Sequence, residues 1–270
     1  MGMGKTRVRT SQATQRFWIR NFKKKEASGE YEPFYRTQDI TSSGIKGRIP
    51  CPNNPGRVYH TLSLNETYTL VQLLQNPLVE NIKEQYAETD LAKTKAFAKE
   101  FKIKHPTHTW SSTDSVITWD FLCDMKIGPK LAISVKPRHL LNDRRTVEKL
   151  KLEKALALSL GYEHRITTDN EVKTEAVQNI FRILRGANLE PKLSAIYSDW
   201  ITQFNLLVTD NIHTPISVQI EKLADRYNIN FVESFTLMQH GFWIRDITSD
   251  PEEPIYPEYS PYILGMKIHA

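Results

Sequence analysis

The amino-acid sequence predicts an α/β domain, a mixed β-sheet with flanking helices, followed by a mainly helical C-terminal domain. Residues 115–137 carry two runs of β-branched and aromatic residues around an Ile127-Gly128-Pro129 breaker, the pattern of two strands joined by a turn. From 63 to 168 the patterns run helix, three strands, helix, strand, with one further helix inserted at 89–101. Past residue 187 strand signals thin out and helical periodicity takes over.

With 270 residues, 40% hydrophobic and 25% charged, the chain has the composition of a globular protein of one large or two ordinary domains. No apolar run approaches the roughly 18 residues of a membrane helix, and no secretory signal opens the chain, so no membrane role is expected. Cys51 and Cys123 form neither a zinc pattern nor a disulfide framework, which points to a reducing, cytoplasmic setting. His105 and His108 are close, but Pro106 between them argues against a helical pair of metal ligands. The net charge of +5 is uneven: residues 1–25 hold eight of the 36 Lys and Arg residues, among them Lys5, Arg7, Arg9 and Lys23, and no acid. Residues 1–30 are therefore expected to form a basic arm, suited either to a phosphate backbone or simply to solubility.

Taken in order, residues 28–57 are rich in Gly, Ser, Pro and Asn and are expected to pack in extended form, with Tyr31, Phe34 and Tyr35 as anchors. Ser63, Glu66 and then Leu70, Val71, Leu73 and Leu74 predict a helix with an N-terminal capping box. Residues 78–86 read as a strand of imperfect alternation, and Leu91, Phe97 and Phe101 mark the inserted helix. In the hairpin, Leu131, Ile133 and Val135 share one face and Ala132, Ser134 and Lys136 the other, where Asp120 can join them. A helix at 144–160 stops at Gly161, a strand follows at 164–168, and a helix at 172–185 stops at Gly186. Helices at 191–208, 215–227 and 232–239 precede a turn at His240-Gly241, a strand at 242–244 and a loop at 251–254. Three small helices and a terminal hairpin are the outline of a winged helix. Glu221, Lys222, Asp225 and Arg226 give its second helix a balanced face, unlike a basic recognition helix.

A carboxylate and an ammonium at the centre of a sheet are unfavourable unless paired or functional. Asp120 and Lys136 therefore fit either a structural ion pair or an active site. Glu66 fits a helix cap, and Glu153, in a Lys/Glu-rich helix, a solvated charge.

Several local motifs add to this. They are 56–63 (Gly-Arg-Val-Tyr-His-Thr-Leu-Ser) leading to Glu66, Ile82-Lys83-Glu84-Gln85-Tyr86, Ile103-Lys104-His105-Pro106, Thr118-Trp119-Asp120-Phe121-Leu122, Ser134-Val135-Lys136-Pro137 and the 145–153 stretch ending in Glu153. In this order and spacing they resemble the TnsA family of transposon endonucleases, within the restriction-endonuclease-like nucleases, whose motif is an Asp followed by acid-x-Lys. The resemblance implies a restriction-endonuclease-like catalytic domain at 31–186 and a winged-helix-like domain at 187–270. It also implies an active site of Glu66, Asp120 and Lys136, with Glu153 in support. Glu66, Asp120, the Val135 carbonyl and Ser134 would surround Mg²⁺, or Mn²⁺ in its place, and Lys136 would orient the attacking water. Ser134 departs from the pattern, since most relatives have an acid there and TnsA proteins often have Gln. A hydroxyl brings no negative charge, so metal binding leans harder on the other groups.

The implied function is that of a metal-dependent DNA endonuclease subunit of a heteromeric transposase, cutting the 5′, non-transferred-strand ends of a transposon. Its implied partners are transposon-end DNA, a DDE-type, TnsB-like transposase and, through the C-terminal domain, a TnsC-like AAA+ ATPase. Two alternatives stand beside it: a non-catalytic DNA-binding or assembly subunit whose site has decayed at Ser134, and a free-standing restriction or repair nuclease.

Overall fold

The computed structural model describes residues 11–40, 44–52, 54, 56–108 and 111–269; Lys5, Arg7 and Arg9 lie outside them. The rest of the basic stretch is a helix, α1 (Gln12–Ala27), whose N-cap Ser11 accepts the Thr14 N–H. Phe22 is buried on its inner face and meets Phe34 and Tyr86 edge-on at centroid distances of 5.7 and 5.6 Å. Phe34 and Tyr35 are buried in the same cluster, and Tyr31 packs against it half-buried, so the expected anchors all touch the domain.

Two short strands that the sequence pattern did not separate follow, β1 (Gly47–Pro50) and β2 (Val58–Thr61), paired antiparallel. Four residues each, between Gly and Pro breakers, leave too few alternations to be recognised. Helix α2 (Leu64–Leu74) leads into β3 (Val79–Glu88), α3 (Leu91–Glu100), β4 (Ile117–Met125), β5 (Leu131–Val135), α4 (Arg144–Ser159) and β6 (Glu163–Thr167). The four long strands form one sheet in the order β3-β4-β5-β6. The β3–β4 and β4–β5 pairs are antiparallel, while β5 and β6, joined across α4, are parallel. The predicted hairpin is present: Phe121 pairs with Ile133 and Cys123 with Leu131, and Gly128 supplies the positive φ of the turn. Trp119, Leu122 and Ala132 of the sheet pack with Leu152, Leu156 and Ala157 of α4, which fixes that helix over β4 and β5.

The first compact unit ends at Val172 and the second begins at Lys173, ahead of the change in sequence character near 187. The helix expected at 172–185 is in fact two, α5 (Asp169–Val172) and α6 (Glu175–Ile183), because Thr174 caps α6 by accepting the Val177 N–H. Helix α6 belongs to the second unit. Its buried Asn179 donates to the carbonyls of Pro251 and Glu253 and accepts the Ile255 N–H, and Ile183 enters that unit's core.

The second unit continues with α7 (Pro191–Asp210), α8 (Ile216–Tyr227) and α9 (Phe231–Ile244), around Trp200, Phe204, Ile220, Leu237 and Met238. The turn and strand expected at 240–244 are instead the last turn of α9, which closes at Arg245 with φ +70°. Gly241 is a contact glycine rather than a turn glycine, since a Cβ there would lie 2.7 Å from the Ile247 side chain. A ladder of two residues on each side, β7 (Ile247–Thr248) with β8 (Lys267–Ile268), completes the unit. Among the described residues no helix is long and apolar enough to cross a membrane.

The Phe22 cluster makes α1 part of the first unit's structure. Phe22→Ala is expected to lower that unit's unfolding free energy by about 3 kcal/mol, measured by urea denaturation of the full chain.

Candidate active site

Each candidate side chain is placed by a local feature of its element. Ser63 caps α2 by accepting the Glu66 N–H at 3.2 Å. The Glu66 carboxylate turns back to accept from the Leu62 N–H (2.8 Å) and the Ser63 hydroxyl (2.9 Å). The reciprocal bond expected of a capping box would go to the Ser63 N–H; here it reaches one residue further back. Glu66 is thereby buried and held at the start of the helix.

Asp120 lies in β4, one step beyond the Phe121–Ile133 pair, where the ladder to β5 stops. Its Oδ2 accepts the Val135 N–H at 2.6 Å and the Lys136 ammonium at 3.2 Å. Lys136 Nζ also donates to the Val135 carbonyl at 2.9 Å, and its own N–H is anchored on Thr167 O at the end of β6. Between the two acids stands Gln85 of β3, whose Nε2 lies 3.3 Å from Glu66 Oε2 and 3.3 Å from Asp120 Oδ1.

Ser134 and Glu153 form a second group. The fully buried Ser134 hydroxyl donates to Glu153 Oε2 at 2.6 Å and lies 2.9 Å from His164 Nε2. Trp119 Nε1 donates to the Glu153 carbonyl oxygen, tying this turn of α4 to β4. Glu153 is buried rather than a solvated charge on an exposed face. The Ser134 hydroxyl, expected among the cation ligands, is already engaged by Glu153 and His164.

The charges follow from burial and from one another. Burial first, and then the neighbouring Asp120, push the Glu66 carboxyl up to about 8, against the Leu62 N–H, the Ser63 hydroxyl and Lys136. Burial alone would lower the pKa of Lys136, but Asp120, Glu153 and Glu66 outweigh it and hold the ammonium above its usual range. Glu153 is raised by burial, with Lys136 and Ser134 opposing. Burial, then Lys154 and Lys136, push His164 down to about 4, so the ring is neutral near pH 7. A neutral ring with its proton on Nε2 donates to Ser134, whose own proton goes to Glu153; the tautomer is assigned from this network.

Asp120, Lys136, Glu153 and Gln85 line a cleft of about 1420 Å³ that is also bordered by Lys104, Arg144, Arg145 and Lys149. Arg145 donates to the Lys104 carbonyl at 2.7 Å, joining the loop before β4 to the start of α4. Among the described residues no three His, Cys, Asp or Glu side chains gather as a metal cage. The hard oxygens at hand are two carboxylates, Glu66 and Asp120, linked through Gln85, and the Val135 carbonyl, linked to Asp120 through the Lys136 ammonium. This set suits an Mg²⁺-like cation that keeps part of its water shell and does not need an all-protein cage.

Residues 76–169 match the family model described as TnsA-like endonuclease N terminal. This part of the chain is similar to the TnsA-like endonuclease family. Over 153 residues the chain is 36% identical to the Transposon Tn7 transposition protein TnsA of Escherichia coli, an alignment covering 56% of this chain and 55% of that protein. The chain thus spans about half the length of the curated relative it matches. The resemblance to the TnsA family drawn from the sequence motifs is borne out. The matched segment of the family model holds Gln85, Asp120, Lys136 and Glu153; Glu66 and the second unit lie outside it.

Two residues of this site, Gln85 and His164, are not marked out by the sequence pattern alone. Gln85 stood within a matched motif, and its signal was a polar side chain where strand alternation falters. His164 stood at the start of a predicted strand, and only the parallel pairing of β6 with β5, Ala132 beside His164, brings it to Ser134.

The raised Glu66 has a pH consequence. A carboxyl whose folded pKa lies above its unfolded value lends stability that is fully present below the ordinary value near 4.5 and is lost as pH rises through about 8. In EDTA, the stability difference between wild type and Glu66→Gln is expected to move against wild type from about pH 5 to about pH 8. Thermal unfolding at a series of pH values checks this, and the comparison cancels Glu84, itself pushed up to about 7 by burial.

Proposed function

We propose that this protein is the metal-dependent DNA endonuclease subunit of a heteromeric transposase, cutting the 5′, non-transferred-strand ends of its transposon. The observation that carries this reading is the convergence of Glu66 and Asp120, with Lys136 on Asp120, in a chain similar to the TnsA-like family. Glu66, Asp120 and the Val135 carbonyl would hold Mg²⁺, with Mn²⁺ as a substitute. When bound, the cation supplies Lewis-acid polarisation of the scissile phosphodiester and a more acidic attacking water.

The remaining work falls to the chain's own groups. Lys136 stays charged beside Asp120 and offsets negative charge that builds on the phosphate. Glu153, through Ser134, braces β5 against α4, so that Val135 and Lys136 leave the strand at a set angle. Lys104, Arg144, Arg145 and Lys149 along the cleft suit a phosphate backbone and carry no sequence readout, as do Arg16, Arg20, Lys23 and Lys24 on α1.

Sequence selection would then belong to a DDE-type, TnsB-like transposase partner. The second unit, which we read as winged-helix-like, would dock a TnsC-like AAA+ ATPase. Exposed Glu221, Lys222, Asp225 and Arg226 on α8 give that unit a balanced face, better matched to protein than to DNA.

The test is strand cleavage of transposon-end DNA in Mg²⁺ with and without the transposase. The isolated chain is expected to nick weakly, and Asp120→Ala to reduce cleavage in the complex at least about a hundredfold while co-elution with the partner persists. Unchanged cleavage in that variant would support the non-catalytic assembly role. Robust site-specific cutting by this chain alone would support the free-standing nuclease.

A further inference from the structure

Gln85 has a backbone that a strand does not normally contain. Its φ is +48°, in the left-handed region that glycine favours, although it lies in the middle of β3. Its neighbours are in ordinary register with β4, Glu84 opposite Phe121 and Tyr86 opposite Trp119, so Gln85 stands opposite Asp120. That pair does not join the ladder; the Gln85 carbonyl turns away to accept the Phe34 N–H at 3.2 Å. A non-glycine residue persists in such a conformation only where its surroundings over-determine it, and such places cluster at functional sites.

The result of the distortion is that a buried amide stands between a buried acid, Glu66, and a half-buried one, Asp120. One Nε2 reaches Glu66 Oε2 and Asp120 Oδ1, each at 3.3 Å. Both bonds lie beyond the usual range for N–H···O and are easily exchanged. A primary amide has two ends of nearly equal size, and a half-turn about its last torsion replaces the NH₂ group by a carbonyl oxygen. The NH₂ end suits two carboxylates facing each other, while the oxygen end suits a cation held between them.

We propose that Gln85 is a third side-chain member of the divalent-cation site, an uncharged one beside Glu66 and Asp120. Its NH₂ end holds Glu66 and Asp120 in facing positions before a cation is taken up, and its amide oxygen turns toward the cation afterwards. This rests on the reading that Glu66 and Asp120 hold the cation. Glutamine carbonyls are ordinary ligands of hard divalent ions. Glycine would relieve the backbone and asparagine would shorten the reach, but neither would supply this amide at this place.

Mn²⁺ binding to the full-length protein, with free Mn²⁺ counted by its electron paramagnetic resonance signal, tests the proposal without any DNA cleavage. Gln85→Met, which keeps the length and removes both amide ends, is expected to weaken Mn²⁺ binding about tenfold or more. Gln85→Glu, which puts a third carboxylate in place, is expected to tighten it, to lower the thermal midpoint in EDTA and to regain that midpoint in Mn²⁺. If Gln85→Met loses stability in EDTA but binds Mn²⁺ as wild type does, the residue is merely structural and the proposal fails. If Gln85→Met does not fold, Gln85→Glu decides, and unchanged or weaker binding overturns the proposal. In both cases wild-type binding that Asp120→Ala abolishes leaves the Glu66/Asp120 reading standing. Wild-type protein that binds no Mn²⁺, or binds it equally well as Asp120→Ala, overturns that reading together with this one.

Discussion

Where β4 and β5 part, the Asp120 carboxylate takes over from the ladder, accepting the Val135 N–H and the Lys136 ammonium on one oxygen. Its other oxygen faces Gln85, and through Gln85 it is coupled to Glu66. Three strands and the start of α2 thus meet at one charged group, and the rest of the first unit makes that junction tenable. Helix α4 packs over β4 and β5 and closes the sheet's apolar face. Lys136 is anchored on β6, and α1 covers β3 through Phe22 and Tyr86.

Such a junction is not a source of stability. Burial and mutual repulsion raise Glu66 far above its ordinary range, and the backbone of Gln85 is held in a region that side chains rarely occupy. The compensation lies in large apolar and aromatic contacts around the site, one cluster with Trp119 and Leu152 and another with Phe22, Phe34 and Tyr35, both packed on Tyr86. Strain is thus concentrated at the site and stability is supplied around it.

Ser134 takes on a different meaning in this setting. An acid at that position would face the buried Glu153 as a like charge, whereas the hydroxyl donates to it and accepts from a neutral His164. What looks in the sequence like the loss of a ligand is, in the fold, a satisfied link between β5, α4 and β6. The negative charge at Val135 then comes from Asp120, and Glu153 remains with the serine.

The order of strands and helices in the first unit was legible because long periodic segments, such as β4 around Trp119 and α4 around Leu152, declare themselves through burial on one face. The motifs around Glu66, Asp120 and Lys136 were legible as a family pattern, since their order along the chain is a property of sequence. Short or contact-dependent features were not. The strands β1 and β2 hold too few alternations, α9 runs through Gly241 because of a neighbour six residues on, and α6 belongs to the second unit because Asn179 binds a loop more than seventy residues away. Local patterning therefore determined which residues could carry chemistry. Which of them stand together was decided by strand register and by a single left-handed residue, which put Gln85 between the two acids and His164 beside Ser134. Such contacts depend on pairings between distant segments, and no local pattern encodes them.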